Sequence, residues 1–101
     1  MSTIGAVGLS VLLCGNSVGA QPSGEALFGQ HCAVCHADGG NIMNPRKTLH
    51  QKDLQANKLK TPSDILRTVR NPGPGMTKFD AKAISDQDAM AIGEHIIKTF
   101  K

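Results

Sequence analysis

Beyond residue 23 the apolar positions recur at helical spacing, and nowhere do they alternate as a half-buried strand would. Residues 24–31, Gly-Glu-Ala-Leu-Phe-Gly-Gln-His, predict a short helix in which Ala26, Leu27 and Phe28 make the apolar contacts. Glu25 in its first turn suits the positive end of the helix dipole. Turn residues Asp38-Gly39-Gly40-Asn41 follow, then a loop around Pro45 over 42–48. Residues 50–57 predict another short helix. The next is better marked: Thr61 as N-cap, Pro62 at the first helical position and Asp64 three residues after the cap. Ile65, Leu66 and Val69 then share one face, and Asn71 before Pro72 stops the helix. The last helix is predicted to open at Ser85, with Asp86 and Asp88 in its first turn, and to end near Lys98. Its buried stripe is Ala89, Ile92, Ile96 and Phe100, flanked by Met90 and Ile97. With no internal repeat, the fold class is all-α.

The first twenty residues follow a different pattern. Residues 4–13 are apolar, and Val18-Gly19-Ala20 then offers small side chains before Gln21. That is the form of a signal peptide over 1–20, leaving 21–101 as the mature domain. The apolar stretch is too short for a transmembrane span, which needs about 20 residues. Met1-Ser2-Thr3 carries no basic residue, so either translation starts upstream or the export signal is unusual. Cys14 has two readings. It is either a bystander in a discarded leader, which is preferred, or the lipidated cysteine of an anchored protein with 15–23 as tether. Leu13 stands where lipoprotein signals usually carry Gly, Ala or Ser. The expected location is periplasmic or otherwise extracytoplasmic, with lipid anchoring through Cys14 as the alternative.

A chain of 101 residues makes one domain rather than two, and it is expected to act as a monomer. It has three Phe and neither Trp nor Tyr, so its core lacks the large aromatics that usually supply area. A covalently held macrocycle would fill that deficit. The formal charge of +3 is unevenly spread. Arg46, Lys47, Lys52, Lys58, Lys60, Arg67 and Arg70 face only Asp53 and Asp64 in their stretch, whereas 71–101 is balanced. Two readings stand at even weight: a patch steering docking to an acidic partner, or an ordinary solvated surface. Nucleic acid is excluded as a partner by the absence of a basic run, aromatic interleaving or a binding motif.

The chemistry is concentrated at Cys32-Ala33-Val34-Cys35-His36, a CxxCH. Two thiols at this spacing can add to the vinyl groups of haem and set the following histidine beneath the iron, giving haem c. A zinc site would need a second ligand pair, and the mature chain has no further cysteine. A thioredoxin-type pair belongs in a sheet fold. His36 is therefore the expected proximal ligand. For the sixth position Met76 is the leading candidate, because Asn71-Pro72-Gly73-Pro74-Gly75 before it cannot be helix and is stiff enough to hold a thioether. Met1 and Met43 are poorly placed and Met90 sits at core spacing. His50 or His95 is the residual alternative, and His31 reads as a surface residue.

These motifs resemble class I cytochrome c over nearly all of residues 23–101. Gly24 and Phe28 ahead of the CxxCH, the methionine in a Gly/Pro loop and the C-terminal helix carry the likeness. Gly40-Asn41 and Pro45-Arg46-Lys47-Thr48-Leu49 bring it closer to the cytochrome c6-like group, and the loop before Met76 is similar to that of small monohaem outer-membrane cytochromes of metal-reducing bacteria. The resemblance implies a small helical fold around one covalent haem, His36/Met76 ligation of iron and single-electron transfer to redox partner proteins. It also implies that the Pro45 carbonyl accepts a hydrogen bond from His36. Two positions depart from the family: His95 stands where an aromatic usually packs against the glycine of the first helix, and Thr77 stands where Pro commonly follows the methionine.

The expected function is that of an exported monohaem electron carrier and not an enzyme. The alternatives are a small haem peroxidase, for which no distal acid/base pair is evident, and a gas-binding sensor in which Met76 is labile.

Overall fold

The computed structural model describes residues 22–101. The expected leader over 1–20 and Cys14 lie outside the described residues. Among the described residues five α-helices follow in order: α1 Gly24–His31, α2 Ala33–His36, α3 Gln51–Ala56, α4 Pro62–Arg70 and α5 Asp86–Thr99. A 3-10 turn, Ala37–Gly39, follows α2. The described residues contain no strand.

Local chemistry sets the helix starts. Ser23 caps α1, its Oγ accepting from the Ala26 N–H at 3.1 Å, a cap that the sequence reading did not pick out. At α4 the Thr61 Oγ1 accepts from the Asp64 N–H, and the Asp64 carboxylate accepts in return from the Thr61 N–H, closing the expected capping box. Ser85 caps α5 through the Asp88 N–H at 3.0 Å. The last helix ends at Thr99, and Phe100 is its C-cap rather than part of its stripe. Phe100 is half-buried, 5.3 Å from the Phe28 ring, and its carbonyl accepts from the Gln51 N–H at 2.9 Å, tying the start of α3 to the C-terminus.

The core is small and wholly apolar: Leu27, Phe28, Leu54, Ile65, Val69, Ile84, Ala89, Ile92 and Ile96. Helix α5 packs against both α1 and α4, and a glycine makes each crossing close. A Cβ on Gly24 would collide with the Ala91 carbonyl oxygen of α5. A Cβ on Gly93 would lie 2.8 Å from the Pro62 Cα and 3.0 Å from its carbonyl oxygen. The aromatic place opposite Gly24 is filled by His95. Its ring lies 5.4 Å from Phe28 and 5.8 Å from Phe100, so it is half-buried in an aromatic cluster.

Candidate functional site

Helix α1 delivers the CxxCH directly. Cys32 is at once the C-cap of α1 and the N-cap of α2, and its carbonyl accepts from the N–H groups of Cys35 (3.2 Å) and His36 (2.9 Å). One helical turn therefore groups Cys32, Cys35 and His36, all half-buried. Both cysteines are free thiols. Burial pushes the Cys32 thiol up to about 11, so it is neutral at physiological pH.

The His36 ring is fixed by one contact: Nδ1 lies 2.7 Å from the Gly40 carbonyl oxygen. A carbonyl only accepts, so Nδ1 carries the proton, and a neutral ring then keeps its Nε2 lone pair for a metal. The partner in this structure is Gly40, where the resemblance implies Pro45. The 3-10 turn, with Asp38 at φ 56° and Gly39 at φ 81°, reverses the chain so that Gly40 returns beneath the ring. Pro45 instead lies in the exposed loop beyond, which Asn41 organises. The Asn41 Oδ1 accepts from the Met43 and Asn44 N–H groups, both at 3.0 Å, and its Nδ2 donates to the Lys47 carbonyl at 2.8 Å.

Met76 comes to the same side of the molecule through two links. The Ile42 N–H donates to the Cys35 carbonyl at 3.0 Å, tying the 41–47 loop to the CxxCH turn. The next residue, Met43, has its Cβ 3.7 Å from where a side chain on Gly75 would begin. Gly75 has φ 93°, a conformation that permits the tight approach into Met76. Met76 itself is half-buried against the core, as are Cys32, Ala33, Leu49, Leu59, Leu66 and Phe79. Of the rival ligands, Met43 is 62% exposed, His50 stands 6.0 Å from the Phe100 ring and His95 lies in the Phe28 cluster. His31 is half-buried, edge-on to Phe79 at 6.0 Å, rather than free on the surface.

The donor set suits haem. It offers two thiols a turn apart, an imidazole with its near nitrogen held by a carbonyl, and a thioether in a constrained loop. Within the CxxCH turn Val34 is 82% exposed, and Ile42, whose N–H bonds the Cys35 carbonyl, is 68% exposed. Among the described residues no three His, Cys, Asp or Glu side chains cluster as a metal site, so Cys32 and Cys35 lack the second pair that zinc would need.

The expected basic stretch divides in the structure. Arg67, still 66% exposed, pairs with Asp64 at 2.7 Å and Arg70 with Asp86 at 2.6 Å; outside these pairs stand Arg46, Lys47, Lys52, Lys58 and Lys60, all exposed. The Asp64 carboxyl is held down to about 2, chiefly by the Lys60 N–H and then by the Arg67 guanidinium. Asp53 is lowered too, by hydrogen bonds from the Thr48 hydroxyl and N–H. No helix among the described residues is long and apolar enough to cross a membrane.

An all-helical domain built around a one-turn Cys-Cys-His group and a methionine loop is the architecture of a small c-type haem protein. The profile of the family described as cytochrome C oxidase, cbb3-type, subunit III matches residues 19–96. Cytochrome c6 of Cyanidium caldarium is 36% identical over 74 residues, covering 73% of this chain and just under two thirds (66%) of that protein. Cytochrome c6 of Bumilleriopsis filiformis is 35% identical over 75 residues, 74% of this chain and 86% of that one. Among solved structures, outer-membrane cytochrome F from Geobacter sulfurreducens superposes with a TM-score of 0.77 at 43% identity, covering 78% of this chain and all of that one. Oxidised cytochrome c6A from Arabidopsis thaliana gives 0.68 at 29% identity, covering 74% and 84%. The chain belongs to the class I cytochromes c, in the cytochrome c6-like group, and is a monohaem electron-transfer protein with covalently bound haem c.

Proposed function

We propose that Cys32 and Cys35 tether the haem through thioether bonds and that His36 and Met76 are its axial ligands. On this reading residues 21–101 form the working domain, exported behind a leader over 1–20. The domain passes single electrons between extracytoplasmic redox proteins and is not an enzyme. The observation that supports this reading is the CxxCH turn with His36 Nδ1 committed to the Gly40 carbonyl, which leaves the lone pair of the other nitrogen available to a metal. When bound there, haem c would supply a one-electron couple. The Met76 thioether, a soft donor, would favour ferrous iron and raise the potential relative to a second histidine. Leu49, Leu59, Leu66 and Phe79, partly buried against the core, would on this reading line the haem and keep water from it. The exposed cations of 46–60 suit an acidic docking partner.

Optical spectra of the matured protein, oxidised and reduced, with carbon monoxide added to the reduced sample, test the reading. A low-spin spectrum with the methionine–iron charge-transfer band, unaffected by carbon monoxide, is expected. Met76→Ala should keep covalent haem and lose that band. A high-spin wild type that binds carbon monoxide rapidly would favour a peroxidase or sensor instead.

A further inference from the structure

The loop carrying Met76 is neither helix nor strand from 71 to 78, and its stability is decided at its neck. There the Phe79 N–H donates to the Val69 carbonyl at 3.1 Å. The Phe79 carbonyl in turn accepts from Arg70 Nη1 at 3.2 Å, across nine positions of chain. Arg70 Nη2 donates at 2.6 Å to Asp86 Oδ1, in the first turn of α5. Both main-chain polar groups of Phe79 are thus held by the end of α4, and the same guanidinium ties that neck to α5.

We infer that Arg70 is the positioning residue for the methionine ligand, clipping the returning limb of the loop so that Met76 stays on the metal. The inference rests on the His36/Met76 reading. The stretch before Met76 is stiffened by Pro72 and Pro74, but Thr77 after it gives no such restraint. The restraint on that side comes three residues later, at Phe79. Only a guanidinium has the planar fork to reach a carbonyl and a carboxylate at once; a lysine ammonium on a flexible stem does not reproduce it. The Arg70 side chain is 24% exposed and its bond to the Phe79 carbonyl is part-buried, whereas the Asp86 carboxylate is 75% exposed, so the Phe79 bond is the sheltered one of the two.

The test uses matured holoprotein of wild type, Arg70→Met, Arg70→Lys and Asp86→Ala. Three quantities are read: the methionine–iron band, the rate of carbon monoxide binding to reduced protein, and hydrogen exchange at the Phe79 amide. Arg70→Met is expected to weaken the band and to speed both rates about tenfold, the scale of one lost charge-assisted hydrogen bond. Arg70→Lys should recover part of the loss, and Asp86→Ala should shift all three readouts less. If Arg70→Met melts earlier but keeps the band and both rates within about twofold of wild type, Arg70 is only a structural residue and the inference is overturned. Should Arg70→Met fail to mature, Asp86→Ala carries the test, and unchanged rates there overturn it equally. A wild type without the band would instead sink the His/Met assignment, and this inference with it.

Discussion

Asp64 carries three contacts at once, accepting from the Lys60 and Thr61 N–H groups and pairing with Arg67. These contacts favour the ionised carboxylate, so its folded value, about 2, lies below the ordinary 3.8. The sign follows: the stabilisation is complete above the ordinary value and is lost as pH falls from there towards about 2. Asp64→Asn is expected to lower the melting temperature at neutral pH and to make the acid limb shallower in that window, as read by thermal melts across the range. Asp53, also lowered, would leave a residual acid limb. If the limb kept its full steepness in Asp64→Asn, the acid sensitivity would belong to other carboxylates.

Helix spacing is set where α5 crosses its neighbours. Gly93 meets backbone atoms of Pro62, which cannot rotate aside as the tip of a side chain can. Gly93→Ala should therefore push α4 away from α5, even though alanine is the better helix former by about 1 kcal/mol. Overpacking of this kind costs about 1–3 kcal/mol, which outweighs the propensity gain or cancels it at the low end. A melting temperature several degrees below wild type is the expected result. A rise would show that α4 gives way freely. At the other crossing, His95 keeps the aromatic contact with Phe28 and Phe100 over Gly24, so the family's helix pairing survives the change of residue.

Across the whole molecule the charge asymmetry narrows but persists. With Arg67 and Arg70 paired, the cations of the basic stretch that stand outside these pairs are those of the 46–60 segment. Electron exchange with an acidic redox protein should slow as salt rises, since exposed charges are screened over about 8 Å at physiological ionic strength. Reversing Lys58 and Lys60 to Glu should lower that rate further and flatten its salt dependence, as measured by stopped-flow. A rate that climbed with salt would place docking elsewhere.

The local elements were legible in the residues alone. Caps at Thr61 and Ser85, the stop at Asn71-Pro72 and the grouping of Cys32, Cys35 and His36 depend on neighbours within one helical turn, so their spacing specifies them. The resemblance to class I cytochrome c supplied the family from the same motifs. Three matters were decided only by tertiary structure: Gly40 rather than Pro45 as the partner of His36, the joining of α4, the methionine loop and α5 by Arg70, and the withdrawal of two arginines from the basic stretch. Each depends on the path of the chain through a turn or loop, and on which polar groups that path brings within hydrogen-bond reach. Periodicity records which face of an element is buried; it carries no record of where a flexible side chain or a carbonyl finds its partner.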